Sequence, residues 1–349
     1  LVPITPSPLP PQPAAMVWVM PCPAPSDWEL IGDVPLPREG RDGQPLGGFS
    51  AAALDSDGTT LWLLSDAPLP FLVPLHGVDR LGSPAAPPPV FGRRLPLSAA
   101  NGQPFEQPLD GEGLVLRDRE FWIVSEGRRT TEQPARLMRF DRRSGRLLQS
   151  LELPDDWRAQ PGRGLDVNQG PESLTLLPPQ FHTLLLAAER PLLQDPPGQV
   201  RLLGFGPLAG AVAGLSPQTP GFQPLGSFDL PLGGPRWGLT DLLAFRGESG
   251  RAGVPAGLLG LIRGYEAPAR WWSRLVLLPT PGPAVPAPGP LQQWDLLAAG
   301  LTPENWEGLA AGPPLSDGRP TLLLVSDDNF NPLQANRLAR IAPRCRAPR

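Results

Sequence analysis

Short apolar runs, each stopped by a polar or acidic residue and then by proline or glycine, recur along the chain: LWLLS at 61–65, FWIVS at 121–125, TLLLAA at 183–188 and TLLLVS at 321–326. Runs this short, rich in branched and aromatic residues and bounded by turn formers, predict buried β-strands. Sustained helical periodicity is scarce, so the chain reads as all-β. The 52 prolines and 39 glycines fit that reading, because they fall mostly between the runs and mark rigid turns.

The runs belong to a repeat. Five segments share one plan: a short strand that carries a polar residue beside small ones, a turn, then a strongly apolar strand that ends in a carboxylate. They are GGFSAAALDSDGTTLWLLSD (47–66), DGEGLVLRDREFWIVSE (110–126), GPESLTLLPPQFHTLLLAAE (170–189), GLTDLLAFRGESGRAGVPAGLLGLIRGYE (238–266) and NWEGLAAGPPLSDGRPTLLLVSDD (305–328). Their first markers are Ser50, Glu112, Glu172, Asp241 and Glu307, at intervals of 62, 60, 69 and 66 residues. Their second markers are Asp66, Glu126, Glu189, Glu266 and Asp327, at intervals of 60, 63, 77 and 61. Each unit has room for two more strands, such as RLMRFD and RLLQSLELP after the second pair. The fifth unit is one strand short, while DWELIGDVPLP (27–37) precedes the first unit and resembles the outer strands. The expected fold is therefore a single closed β-propeller of five blades, with the N-terminal strand completing the last one. Six blades remain the alternative if the 77-residue interval hides a degenerate unit. The expected layout is a Pro-rich tail over 1–26, the propeller over 27–342, and an Arg/Pro tail over 343–349.

Charge and composition narrow the chemistry. A net charge of −4 gives no reason to expect nucleic acid or an anionic membrane as partner. Every basic residue is Arg, and the only histidines are His76 and His182, which argues against Schiff-base chemistry, a three-His zinc site and a Ser–His–Asp relay. No GxSxG, GxxxxGK[ST], HExxH or GxGxxG string occurs. No apolar run approaches the roughly 18 residues that a membrane span needs. Cys22 and Cys345 form a disulfide that joins the ends in an exported protein, or are two unrelated thiols; spacing alone leaves both open.

In a propeller the innermost strands line the central channel, so equivalent positions meet there. Glu112, Glu172, Asp241 and Glu307 are expected to gather on the axis, with Ser50 as the exception. Glu126, Glu189, Glu266, Asp327 and Asp66 are expected at one rim. Carboxylates this close cannot all ionise without a cation or paired Arg. Oxygen ligands without clustered Cys or His point to Ca²⁺ before Mg²⁺, and to either before Zn²⁺. Arg128 and Arg129 follow Glu126, Arg190 follows Glu189, and Arg263 precedes Glu266. These guanidinium groups either build an anion site with the metal or neutralise the acids as structural pairs.

The run NWEGLAAGPPLSDGRPTLLLVSDDNFNPLQANRL (305–338) resembles the C-terminal signature of the phytase-like family. The segments at 47–66, 110–127 and 184–191 are similar to its earlier repeats, in order. One departure is Pro171-Glu172-Ser173-Leu174, where relatives read Phe-Glu-Gly-Leu; the acid is kept. The resemblance implies a bacterial, exported, propeller-like protein of the periplasm or exterior, although no export signal is visible in the sequence. It also implies calcium-assisted hydrolysis of a small phosphorylated or other ester substrate. On that reading Glu112, Glu126, Glu172, Glu189, Asp241, Glu266, Glu307 and Asp327 hold cations. Glu172 and Glu307 then take part in catalysis, and Arg190 and Arg263, with Arg129, hold phosphate. A monomer is expected. The alternative is a non-catalytic extracytoplasmic propeller that binds a ligand or partner and carries structural calcium.

Overall fold

Each predicted apolar run forms a strand because its neighbours on both sides are turn formers and its own side chains find a core on both sheet faces. The computed structural model describes residues 17–117, 119–127, 133–178, 182–208, 219–247, 254–282 and 286–345. The N-terminal strand is β1 (Asp27–Pro35). Blade one holds β2 (Phe49–Leu54), β3 (Thr60–Ser65), β4 (Phe71–His76) and the short β5 (Val90–Phe91) and β6 (Leu95–Pro96). Blade two holds β7 (Gly111–Arg117), β8 (Glu120–Ser125), β9 (Arg136–Asp141) and β10 (Leu147–Glu152). Blade three holds β11 (Pro171–Leu176), β12 (Leu184–Ala188), β13 (Gln199–Gly206) and β14 (Gly221–Asp229). Blade four holds β15 (Trp237–Phe245), β16 (Gly257–Glu266), β17 (Arg270–Pro279) and β18 (Gln292–Asp295). Blade five holds β19 (Trp306–Gly312), β20 (Thr321–Ser326) and β21 (Arg337–Arg344).

Blade five is completed by β1, which pairs antiparallel with β21 from Asp27↔Arg344 to Pro35↔Arg337. The five-bladed ring and its closure by the N-terminal strand are thus as the repeat predicts. The inner strands β2, β7, β11, β15 and β19 each lie against the next, and β19 returns to β2. Closure leaves no inner edge exposed.

A disulfide between Cys22 and Cys345 clasps the same junction, with Cα atoms 6.0 Å apart across a separation of 323 residues. This resolves the two readings left open by spacing, and a disulfide fits an oxidising compartment, as export requires. No described helix is long and apolar enough to cross a membrane.

The inner strands all run the same way along the channel, and each is polar at its start and apolar at its end. Glu112-Gly-Leu-Val-Leu116 and Glu307-Gly-Leu-Ala-Ala311 show the pattern. One mouth of the channel is therefore acidic. The other is lined by Leu54, Leu116, Leu176, Ala244 and Ala311 and meets Val17 and Trp18. Trp18 is buried there, donates its indole N–H to the Thr321 carbonyl at 2.8 Å, and meets the edge of Phe245 at 5.8 Å.

Candidate functional site: a carboxylate rosette at the acidic mouth

Every inner strand carries a β-bulge at the same place. The register slips between Phe49 and Ala51, Gly111 and Gly113, Pro171 and Ser173, Leu239 and Asp241, and Trp306 and Gly308. A bulge inserts one residue, breaks the ladder locally and re-aims a side chain. The inserted residues are Ser50, Glu112, Glu172, Thr240 and Glu307. Ser50 donates to the Gly111 carbonyl of the following blade at 2.6 Å, while the Thr240 hydroxyl has two acceptors, the Leu261 carbonyl of its own blade at 3.3 Å and the Trp306 carbonyl of the following blade at 3.4 Å.

This register differs from the sequence expectation at one blade. Thr240, not Asp241, occupies the ring position of blade four. Asp241 is buried, and its carboxylate accepts backbone N–H groups of Leu242 at 2.8 Å and Leu309 at 2.7 Å. Burial raises its pKa while these bonds pull it down. It ties blade four to blade five and does not line the cavity at the mouth.

A second ring follows the second strand of each blade. The backbone N–H groups of Asp66, Glu126, Glu189 and Asp327 donate to the carbonyls of Gly48, Asp110, Gly170 and Asn305. In blade four the equivalent of those carbonyl residues is Gly238, which pairs with Arg263. Arg263 therefore stands where the other four blades carry an acid. Glu266, expected in this ring, lies three residues farther on at the exposed end of β16, 3.7 Å from Arg270. It is also outside the cavity lining.

The positions two residues before the bulges are Gly48, Asp110, Gly170, Gly238 and Asn305. Small residues are required at three of them by close approach: a Cβ at Gly48 would strike the Asp66 carboxylate, one at Gly238 the Glu189 carboxylate, and one at Gly170 the side chain of Glu126. Asp110 has φ 54°, a left-handed conformation uncommon for a residue with a side chain. Its carboxylate reaches the mouth, where oxygens of Asp66, Asp110 and Glu112 lie within 4.8 Å of one another.

The mouth is a cavity of about 490 Å³ lined by eight carboxylates: Asp66, Asp110, Glu112, Glu126, Glu172, Glu189, Glu307 and Asp327. Against them stand Arg190, Arg236 and Arg263. Burial, then repulsion by Asp327, Asp110 and Asp328, raises Asp66 to about 8. Burial and Asp110 raise Glu126 to about 8, against a hydrogen bond from Gly170 N–H at 2.9 Å. Burial and Glu172 push Glu112 well above its ordinary range. Glu307 rises only to about 7, because Arg263 offsets part of its burial.

Arg263 is the charge at the centre of the other side. Its Nη2 donates to Glu189 Oε1 at 3.3 Å and lies 3.5 Å from Glu307 Oε1. Burial pulls its pKa down, but Glu307, Glu189, Glu172 and Asp327 outweigh that and hold it above the ordinary arginine range. Arg190 instead spends Nη1 on the backbone carbonyls of Gly234 and Trp237 and so pins the approach to β15. Arg128 and Arg129 lie outside the described residues.

Among the described residues, two fully buried side-chain acceptors in this mouth find no donor. They are Asp66 Oδ1 and Asn305 Oδ1, the latter on a side chain that is 1 % exposed. The Asn305 amide nitrogen donates to Glu307 at 2.9 Å and to Asp327 at 3.4 Å. Buried oxygen acceptors without donors, among carboxylates held above their ordinary pKa, fit a hard cation. Asp110 and Asn305 carry no repeat signal of their own, because they precede the strands whose alternation marks the blade.

Fold and rosette together define a five-bladed β-propeller with a carboxylate cluster at one mouth of its channel. The chain belongs to the phytase-like family, described by the esterase-like activity of phytase, whose profile matches residues 44–330. Membership supports a phosphatase-like hydrolase in general, acting on a small ester. No curated protein matches the sequence. Among solved structures, the chain is similar to the Bombyx mori GH32 β-fructofuranosidase BmSUC1, with 10 % identity, TM-score 0.43, and coverage of 90 % of this chain and 61 % of that one. It is also similar to a neuraminidase-like protein from A/bat/Guatemala, with 11 % identity, TM-score 0.41, and coverage of 86 % and 73 %. Both likenesses are too distant to carry an argument.

Proposed function

We propose that the protein is a calcium-dependent phosphoric ester hydrolase acting at the acidic mouth. The observation that carries this reading is the convergence of Asp66, Asp110 and Glu112 within 4.8 Å in the same cavity as the partly buried guanidinium of Arg263. Those three acids would hold the cation, with Glu126 and the side chain of Asn305, whose Oδ1 has no donor, lining the same cavity. Bound Ca²⁺ would offset the carboxylate repulsion, polarise a phosphoryl oxygen and lower the pKa of coordinated water.

The chain's own groups supply the remainder. Arg263 offers a fixed positive charge toward a phosphoryl oxygen, and its two carboxylate partners keep it in place. Glu307, held at about 7, is placed to give or take a proton near neutral pH. Glu172, buried beside it and pushed well above its ordinary range by burial and by Glu189, favours the protonated form and can donate. Arg190, whose Nη1 is committed to backbone carbonyls, supports the wall of the site.

The test is turnover of p-nitrophenyl phosphate by purified protein in EDTA and after Ca²⁺ is restored. Activity should vanish in EDTA and return with Ca²⁺. Asp110→Asn should lower it about tenfold or more at subsaturating Ca²⁺. Activity that survives EDTA, or Ca²⁺ binding without turnover of any phosphate or carboxylic ester, would overturn the reading.

A further inference from the structure

Four of the five blades leave the mouth at once. Strands β3, β8, β12 and β20 end at Ser65, Ser125, Ala188 and Ser326, one residue before the second ring. Blade four does not. Strand β16 continues three residues past Arg263 to Glu266, and β17 returns from Arg270, with Gly264 opposite Trp272 and Tyr265 opposite Trp271. The hairpin therefore stands above the rim on one side only.

Side chains two apart on a strand share a face, so Tyr265 lies on the face that carries Arg263. Tyr265 and Trp271 sit with ring centroids 4.6 Å apart, and the Arg236 guanidinium lies 5.4 Å from the Tyr265 ring. All three line the cavity. Behind them Trp272 packs on Trp237 at 5.9 Å, which stiffens the hairpin. The Tyr265 hydroxyl is tied back to the Pro268 carbonyl at 2.6 Å, which fixes the ring within the hairpin.

The same cavity is lined by eight carboxyl groups and three arginines. Arg263, the carboxylates and the aromatic pair share this cavity, so an ester whose phosphate is held by Arg263 and the cation side has the hairpin within the same space.

Resting on the ester-hydrolase reading above, we propose that the Tyr265–Trp271 hairpin is a recognition wall that selects phosphate monoesters of flat, aromatic alcohols. Stacking on such a wall strengthens binding by about tenfold.

Calorimetry with Ca²⁺-loaded protein tests this without turnover, using benzylphosphonate and methylphosphonate. Wild-type protein should bind the benzyl compound about tenfold more tightly. Trp271→Ala should erase that preference while methylphosphonate binding stays unchanged, and Trp271→Phe should keep part of it. Thermal unfolding checks that each variant is folded, and Tyr265→Leu serves as an independent second variant. Equal affinity of wild-type protein for the two phosphonates, no binding of either, or a preference that survives Trp271→Ala would overturn the wall. The two readings separate cleanly. A benzyl preference without hydrolysis of any ester leaves the wall standing and removes the hydrolase. Hydrolysis of p-nitrophenyl phosphate, glycerol 2-phosphate and phytate at similar kcat/KM does the reverse.

Discussion

The two sides of the rosette are built from the same repeat and solve the same electrostatic problem differently. Toward blades one and two, the groups acting most strongly on Asp66, Glu112 and Glu126 are burial and other carboxylates. Toward blades three to five, Glu172, Glu189, Glu307 and Asp327 also feel Arg263. Arg263 offsets part of the burial of Glu307, which rises only to about 7, while Glu172 and Asp327 on the same side are still pushed well above their ordinary range by burial and neighbouring acids. Among the described residues, one side contains its own cation, and the difference traces to a single ring position that holds Arg in blade four and an acid elsewhere.

The strongest way to break this comparison is to remove the resident charge. Arg263→Gln leaves Glu189 and Glu307 buried without their partner, which costs roughly 3–5 kcal/mol for a buried pair. Urea unfolding in EDTA should show that loss. Ca²⁺ should restore much of it, because both sides of the variant then need an external cation. Calorimetric stoichiometry should rise from one Ca²⁺ per chain toward two. Unchanged stability in EDTA together with unchanged stoichiometry would mean that the sides are not distinguished by Arg263.

A second, smaller effect comes from pH. Asp66, Glu126 and Glu307 have folded-state pKa values above their unfolded values of about 4. The folded state therefore binds these protons more tightly than the unfolded chain does. Their contribution is fully present below about pH 4 and is lost as pH rises through about 7 and then about 8. Metal-free protein should accordingly unfold at lower temperature at pH 8 than at pH 5.5. Ca²⁺ should flatten or reverse that slope, since ligands bind it deprotonated and affinity rises with pH. Glu307 should release its proton before Asp66 and Glu126 do. A metal-free melting temperature that climbs steadily from pH 5.5 to 8 would contradict the raised values.

Much of the architecture was legible because each blade repeats one physical plan. The apolar second strand and the turn before it set the period, and the orphan strand at 27–37 announced the closure, here realised as β1 on β21. The positions of Glu112, Glu172 and Glu307 were also readable, since each sits beside small residues at the start of an inner strand. Thr240 was not. Threonine and aspartate are adjacent at 240 and 241, and only the bulge register decides which one faces the axis. Residue type favoured the acid, while hydrogen bonding put the hydroxyl in the ring and turned Asp241 onto Leu242 and Leu309. Arg263 was read as a phosphate holder, and its place in the second ring was hidden by the search for a terminal carboxylate. The three-residue extension of β16 carried that search on to Glu266 and stretched the interval to 77.

That misregistration offers the mildest and most specific check on the rosette. Glu266 is half-exposed and faces Arg270 at 3.7 Å, a surface pair of the kind that contributes little. Glu266→Gln should leave unfolding free energy within about 0.5 kcal/mol of wild type. Ca²⁺ affinity should not move beyond about twofold, as expected for a group outside the cavity. Asp110→Asn, at a position without any repeat signal, should weaken Ca²⁺ binding in the same titration. The contrast is informative because charge and general repulsion change by one unit in both variants, and only placement differs. If Glu266→Gln weakened Ca²⁺ as much as Asp110→Asn, the cation would be responding to the net charge of the blade-four hairpin. The distinction between the two sides of the ring would then lose its geometric basis.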